Sequence, residues 1–254
     1  MSLTSTDYLL WVTGAVMLVF AFGAVLRRKL LYEYPVFFSY VAFQVLSTAL
    51  RLGVHFLQLH HWASYADYFY TYWETQAIGI VLGLAVIYEI YCGVFQRYQA
   101  LQRVGAVLFA CGGMLLLVLA GWMALSAPVA GQPGMVTAVL LMERSVRLIQ
   151  CGLVLFLFVA AFYFGLPWQN YRFGIALGFG VFASIELAAV AVRSHVGASA
   201  AAACSQINSA AYSSGVMIWV CYLLAPQPAA QYAGVVQHSD LEKWNQALVE
   251  FLDR

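Results

Sequence analysis

Seven apolar stretches, each about 20 to 30 residues and so long enough for a helix to cross a bilayer, run along most of this 254-residue chain, at about 8–26, 35–57, 68–95, 104–125, 136–165, 173–193 and 203–224. Nothing constrains the fold more than these runs. A backbone inside hydrocarbon must satisfy its own hydrogen bonds, and runs of this length do so as helices. Only 9% of the residues are charged, against 63% hydrophobic, whereas an ordinary soluble domain has roughly 25% charged residues. The expectation is an all-α, polytopic transmembrane bundle of seven helices occupying residues 1–225. Residues 226–254 are expected to form a cytoplasmic linker and a short amphipathic helix.

Charge sets the expected orientation. Arg27, Arg28 and Lys29 directly follow the first span and no basic residue precedes it. That is the reverse of a secretory signal peptide, so the span is expected to stay as an anchor. Alternation then puts Arg97, Arg103, Arg172, Lys243 and Arg254 on the side of the triplet, with only Arg193 opposite. The positive-inside rule places the N-terminus outside and the C-terminus in the cytoplasm. All six prolines fall at span ends or in loops. The Gly79/Gly83 and Gly174/Gly178 pairs have the spacing that lets helices approach closely.

Glu89, near the inner end of span three, reads as an interfacial or paired carboxylate, and six charges lie deeper inside the spans: Arg51, Glu74, Glu143, Arg144, Arg147 and Glu186. Each costs roughly 2.5 to 3.5 kcal/mol at a helix centre unless it pairs or meets water. At 1.5 Å per residue, Arg51, Glu74, Glu143 and Glu186 come about 9 to 11 Å below the outer end of their spans and Arg147 about 16 Å, so all six belong to the outer half. Three Arg balance three Glu. On span two, Gln44, Ser47, Thr48, Arg51 and His55 form one polar stripe; on span five, Glu143, Arg147 and Gln150 fall within about 60° of each other with Arg144 at the flank. Glu143 precedes Arg147 by four residues, the favourable order for an ion pair. Span seven adds a stripe of Ser205, Asn208, Ser209 and Tyr212, with Gln206 and Ser213 beside it.

Two readings of this centre stay open: a structural network that fixes helix packing, or an outward pocket for a small polar or anionic ligand, with Arg144 and Arg147 as the anion-holding pair. The residues assigned to it are Arg51, Glu74, Glu143, Arg144, Arg147, Glu186, Gln206 and Asn208.

Other chemistries find little support. The two lysines, Lys29 and Lys243, lie outside the spans, which excludes a retinal Schiff base. His55 is the only histidine inside a span, which disfavours bis-histidine haem and a three-histidine zinc hydrolase. The run His60, His61 and Asp67 lacks a recognised metal spacing, and its neighbouring Tyr and Trp residues suit a membrane interface. The five cysteines show no paired spacing. The net charge of +1 points to no nucleic-acid partner. No cofactor, metal or enzymatic activity is expected.

In the tail, Ser239 and Glu242 have capping-box spacing, and Leu241, Trp244, Leu248 and Phe251 recur at helical spacing. The polar face carries Asp240, Glu242, Glu250 and Asp253 against Lys243 and Arg254. Such a helix suits a protein surface, the chain's own inner loops or a partner's, better than an anionic leaflet, so besides the lipid bilayer a protein partner is an expected occupant alongside self-packing.

The segments Glu143–Leu148, Phe173–Gly180 and Leu241–Leu248 resemble a group of bacterial seven-helix integral membrane proteins that carries no assigned activity. The resemblance covers roughly the C-terminal half, implies the bacterial inner membrane, and assigns no site. The functional expectation is a non-enzymatic membrane sensor or ligand-binding protein. The alternatives are an accessory subunit of a larger membrane complex and a small-solute transporter.

Overall fold

The structure is a computed structural model that describes residues 5–60, 62, 64–96, 98–125, 134–164, 170–196 and 201–225. Among these residues are seven helices and no strand: α1 (Ser5–Arg27), α2 (Pro35–Leu59), α3 (Tyr65–Val94), α4 (Gln99–Leu125), α5 (Gly134–Phe164), α6 (Asn170–Val196) and α7 (Ala201–Leu224). Segments of four of them are long and apolar enough to cross a membrane: Pro35–Gln58, Ala66–Val94, Tyr171–Val192 and Ala203–Leu224. Val12–Arg27 and Ala100–Leu115 are shorter apolar helical stretches. The tail with Leu241, Trp244, Leu248 and Phe251 lies outside the described residues.

Six helices close a ring in the order α1, α2, α3, α5, α6, α7, and α4 packs outside it, chiefly on α5. The larger core lies toward the end where α1 passes into α2, the basic end, where Val25, Phe37, Ile90, Leu157, Phe179 and Trp219 are buried together. A smaller core joins α3 to α5 through Ile80, Val139, Met142 and Val146.

Helix ends at the basic end are finished by charged side chains from other helices. The amides at the start of α2 are fully accounted for. Tyr34 N donates to the Leu30 carbonyl at 2.8 Å and Pro35 has no N–H. Val36 and Phe37 N each donate to the Glu89 carboxylate of α3 at 2.9 Å. A carboxylate there satisfies orphan donors and meets the positive end of the helix dipole. The complementary device appears at C-termini. Arg172 on α6 donates to the Gly93 carbonyl of α3 at 2.6 Å, and Arg28 donates to the Leu224 carbonyl of α7 at 2.9 Å. Arg28 and Arg172, which the sequence offers as orientation markers, thus also tie helices together. Glu89→Ala should leave two donors unsatisfied and lower stability by about 1–3 kcal/mol. Glu89→Gln, which keeps one acceptor, should lose less. Thermal unfolding of the purified chain measures both, and an unchanged midpoint for Glu89→Ala would remove the capping role.

The glycine pairs do different jobs. On α6, a Cβ at Gly174 would strike Tyr222, and one at Gly178 would strike Trp219 and come to 2.9 Å of the Gly215 carbonyl. Backbones of α6 and α7 therefore meet directly, and Trp219 Nε1 donates to the Ile175 carbonyl at 3.1 Å across the seam. On α3, Gly79 and Gly83 instead make room for side-chain amides: an added Cβ would come to 3.2 Å of Gln44 Nε2 and of Gln150 Nε2 respectively.

Candidate functional site

Four charged residues from α2, α5 and α6 are joined through Gln76 of α3. Arg147 is buried, and its Nε lies 2.5 Å from Glu186 Oε2 of α6. One helical turn back, Glu143 Oε1 is 3.9 Å from the same guanidinium. Arg147 also donates to Gln150 Oε1 at 2.9 Å and sits 4.5 Å from the Phe182 ring centroid. The guanidinium is therefore shared between two carboxylates, an amide and a ring face, which is how a charge survives in a medium that solvates it poorly.

From Glu143 the connection runs to α3 and α2. Gln76 Nε2 donates to Glu143 Oε1 at 2.6 Å, while Gln76 Oε1 accepts a long, 3.4 Å bond from Arg51. Arg51 Nε donates to Thr75 Oγ1 at 2.8 Å, and Thr75 in turn donates to the Thr71 carbonyl at 2.7 Å. The Arg51 guanidinium lies 4.7 Å from the Tyr72 centroid, with Tyr68, Tyr212 of α7 and Glu143 within electrostatic reach. All its direct partners are neutral. Among the described residues no carboxylate pairs with Arg51, although it is only partly exposed.

The site residues read from the sequence thus separate into two groups. Arg51, Glu143, Arg147 and Glu186 come together. Glu74 and Arg144 do not: both are exposed on the outward faces of α3 and α5 and pair with no described residue. Arg144 follows Glu143 and lies three residues before Arg147, yet its side chain leaves the bundle as theirs enter it. The balance inside is two Arg against two Glu. Gln206 is half-buried on α7. Asn208 faces α6, where the register set by Gly178 against Gly215 and by Ala189 against Cys204 brings it level with Ile185 and Glu186.

Gln76, Thr75 and Gln150 are members that the sequence reading left out of its site. Gln76 had the signal of an uncharged polar residue two positions from Glu74 in an apolar helix. Gln150 is wholly buried, and its Nε2, like Asn208 Oδ1, has no hydrogen-bond partner among the described residues. Buried polar atoms in this condition are matched by a water or by a ligand group where one can enter.

The histidine-rich hairpin is built without a metal-ligand cluster among its described residues. Asp67 accepts from the Ser64 amide at 2.8 Å and Ser64 Oγ accepts from Ala66 N at 3.3 Å, so the carboxylate caps α3. His55 lies tilted beside Tyr68 at 5.8 Å and His60 meets Phe56 edge-on at 4.5 Å between centroids.

The fold and this cluster define an all-helical membrane protein with a shared charge network at its centre. No protein-family model, curated protein or solved structure matches the chain.

Proposed function

We propose that the chain is a seven-span protein of the bacterial inner membrane, N-terminus outside and C-terminus in the cytoplasm, that binds a small anionic ligand at the outer end of its charge cluster without catalysing a reaction. The observation that carries this reading is Arg51. It is a cation within a span whose direct contacts are a hydroxyl, an amide and a ring, where a lone charge costs several kcal/mol. A carboxylate or phosphate oxygen would take the place of the long Arg51–Gln76 bond. Gln76 would then be free to follow Glu143, and the change would reach the Arg147–Glu186 pair between α5 and α6. The anion contact is assigned to Arg51 and not to the Arg144–Arg147 pair, because Arg144 faces away and Arg147 is already shared by two carboxylates.

Thermal unfolding of the detergent-purified chain against monocarboxylates, dicarboxylates, organic phosphates and neutral polar solutes tests this. One anionic class should raise the midpoint, corresponding to about 2.7 kcal/mol at a hundredfold excess over Kd. Arg51→Gln should abolish the shift, Arg51→Lys should weaken it because the guanidinium fork is lost, and Arg144→Ala should leave it intact. A shift that survives Arg51→Gln, or no anion giving any shift, contradicts the assignment.

Glu74 and Arg144 favour one second reading. Charges on the outer faces of helices within the spans are expensive in lipid and are relieved by a neighbouring helix, as in an accessory subunit of a larger complex.

A further inference from the structure

A groove runs down the seam between α1 and α7, on the opposite flank of the ring from the α3–α5 contact. It consists of two adjoining hollows. A cavity of about 480 Å³ is lined by Val16, Val19, Phe20 and Gly23 of α1 and Leu224 of α7, and it ends at Arg27. A second, of about 430 Å³, shares Val16 and Phe20 and continues past Met217 and Val220 to Val12. Val16, Val19, Phe20 and Leu224 are all exposed. At Gly23 an added Cβ would meet nothing within 4 Å, so the absence of a side chain there keeps the groove open. From Ala15 to Arg27 the first cavity is about 18 Å long at 1.5 Å per residue, close to the roughly 15 Å depth of one leaflet of the hydrocarbon core.

The basic end of the groove carries an independent peculiarity. Helix α1 stops in a Schellman arrangement, with Leu30 N bonded to the Val25 carbonyl at 3.2 Å and Lys29 N to the Leu26 carbonyl at 3.1 Å. The residue in the left-handed position, at φ 55°, is Lys29, the only non-glycine with positive φ among the described residues. Glycine is the usual occupant of that position and adopts it without strain. A lysine held there keeps a second exposed cation two residues from Arg27. Arg28 is committed to the Leu224 carbonyl, which leaves Arg27 and Lys29 to meet an anion.

We propose that this groove binds an anionic phospholipid, one acyl chain lying along α1 from Leu224 toward Val16 and the phosphate meeting Arg27 and Lys29. The slot is apolar along its length, charged at one end and open at its side, and a cavity this size takes a methylene chain where a helix about 10 Å across does not fit. Basic pockets between helices recognise anionic headgroups in this way. The proposal rests on membrane placement and is independent of the ligand assigned to Arg51.

Native mass spectrometry of the full chain in detergent, titrated with phosphatidylglycerol or with phosphatidylcholine of identical acyl chains, is the test. Phosphatidylglycerol should be retained several-fold better. Arg27→Gln should reduce its retention about fivefold, the effect of one basic residue at an anionic surface, and leave phosphatidylcholine unchanged. Gly23→Leu, whose Cβ has no neighbour within 4 Å and whose side chain would occupy the groove, should reduce both. Lys29→Gly should raise the thermal midpoint by removing the strain while lowering phosphatidylglycerol retention, opposite signs that a purely structural lysine would not give. Equal retention of the two lipids, or retention unaffected by Arg27→Gln and Gly23→Leu, would overturn the proposal, and full retention by Lys29→Gly would remove that residue from it.

Discussion

Arg147→Ala is expected to cost about 3–5 kcal/mol, the range for removing one partner of a buried ion pair. The loss comes less from the bond than from what is left behind: Glu186 loses the guanidinium 2.5 Å away, Gln150 loses a donor, and Glu143 loses the same guanidinium at 3.9 Å. The thermal midpoint of the purified chain should fall by more than for any exposed arginine, with Arg144→Ala as the matched comparison. Arg147→Met combined with Glu186→Leu should recover most of the loss, since apolar residues of similar volume replace buried ion pairs at little cost. An Arg147→Ala protein that melts like its parent would mean that the guanidinium and the Glu186 carboxylate are not paired.

Gly178→Leu should be nearly as damaging, by a different mechanism. Its first side-chain atom would already lie in the space of Trp219 and against the Gly215 carbonyl. The α6–α7 seam is the most extensive helix contact among the described residues and would have to open, breaking the Trp219 to Ile175 hydrogen bond. Overpacking of a close-packed interior costs about 1–3 kcal/mol and sometimes more, and a branched side chain between two touching backbones belongs at the upper end. Gly152→Leu, where an added Cβ meets nothing within 4 Å, should be neutral or slightly stabilising, as expected for replacing an exposed helical glycine. Equal midpoints for the two variants would contradict the close approach.

The helices were readable from the sequence because apolar runs bounded by charge and proline fix where a helix begins and ends, whatever it packs against. The capping of α3 by Asp67 fits the same local logic. Half of the charge cluster was readable too: Glu143 and Arg147 share a face by spacing alone, and the stripe containing Arg51 is visible on its own helix. Periodicity within one helix does not say which face meets the bundle when apolar residues cover nearly all of it. For that reason Glu74 and Arg144 read as members of the site, although their side chains point outward. Contacts between distant helices leave no local mark either. Nothing near Glu186 names Arg147 as its partner, and nothing near Glu89 indicates that it caps a helix more than 50 residues earlier. Lys29 in a left-handed turn defies the expectation of glycine there, and such departures are where function or specific contacts offset strain.

The most direct test of the ligand-binding account is native mass spectrometry of the chain extracted gently from its own membrane, compared with Arg51→Gln prepared in the same way. A ligand-binding protein should emerge as a chain without a second protein, carrying a reproducible small anionic mass that is lost in Arg51→Gln while any phospholipid adducts persist. A stoichiometric second protein with no small mass in either preparation would contradict ligand binding, and would make the charges of Glu74 and Arg144 the contacts of a subunit.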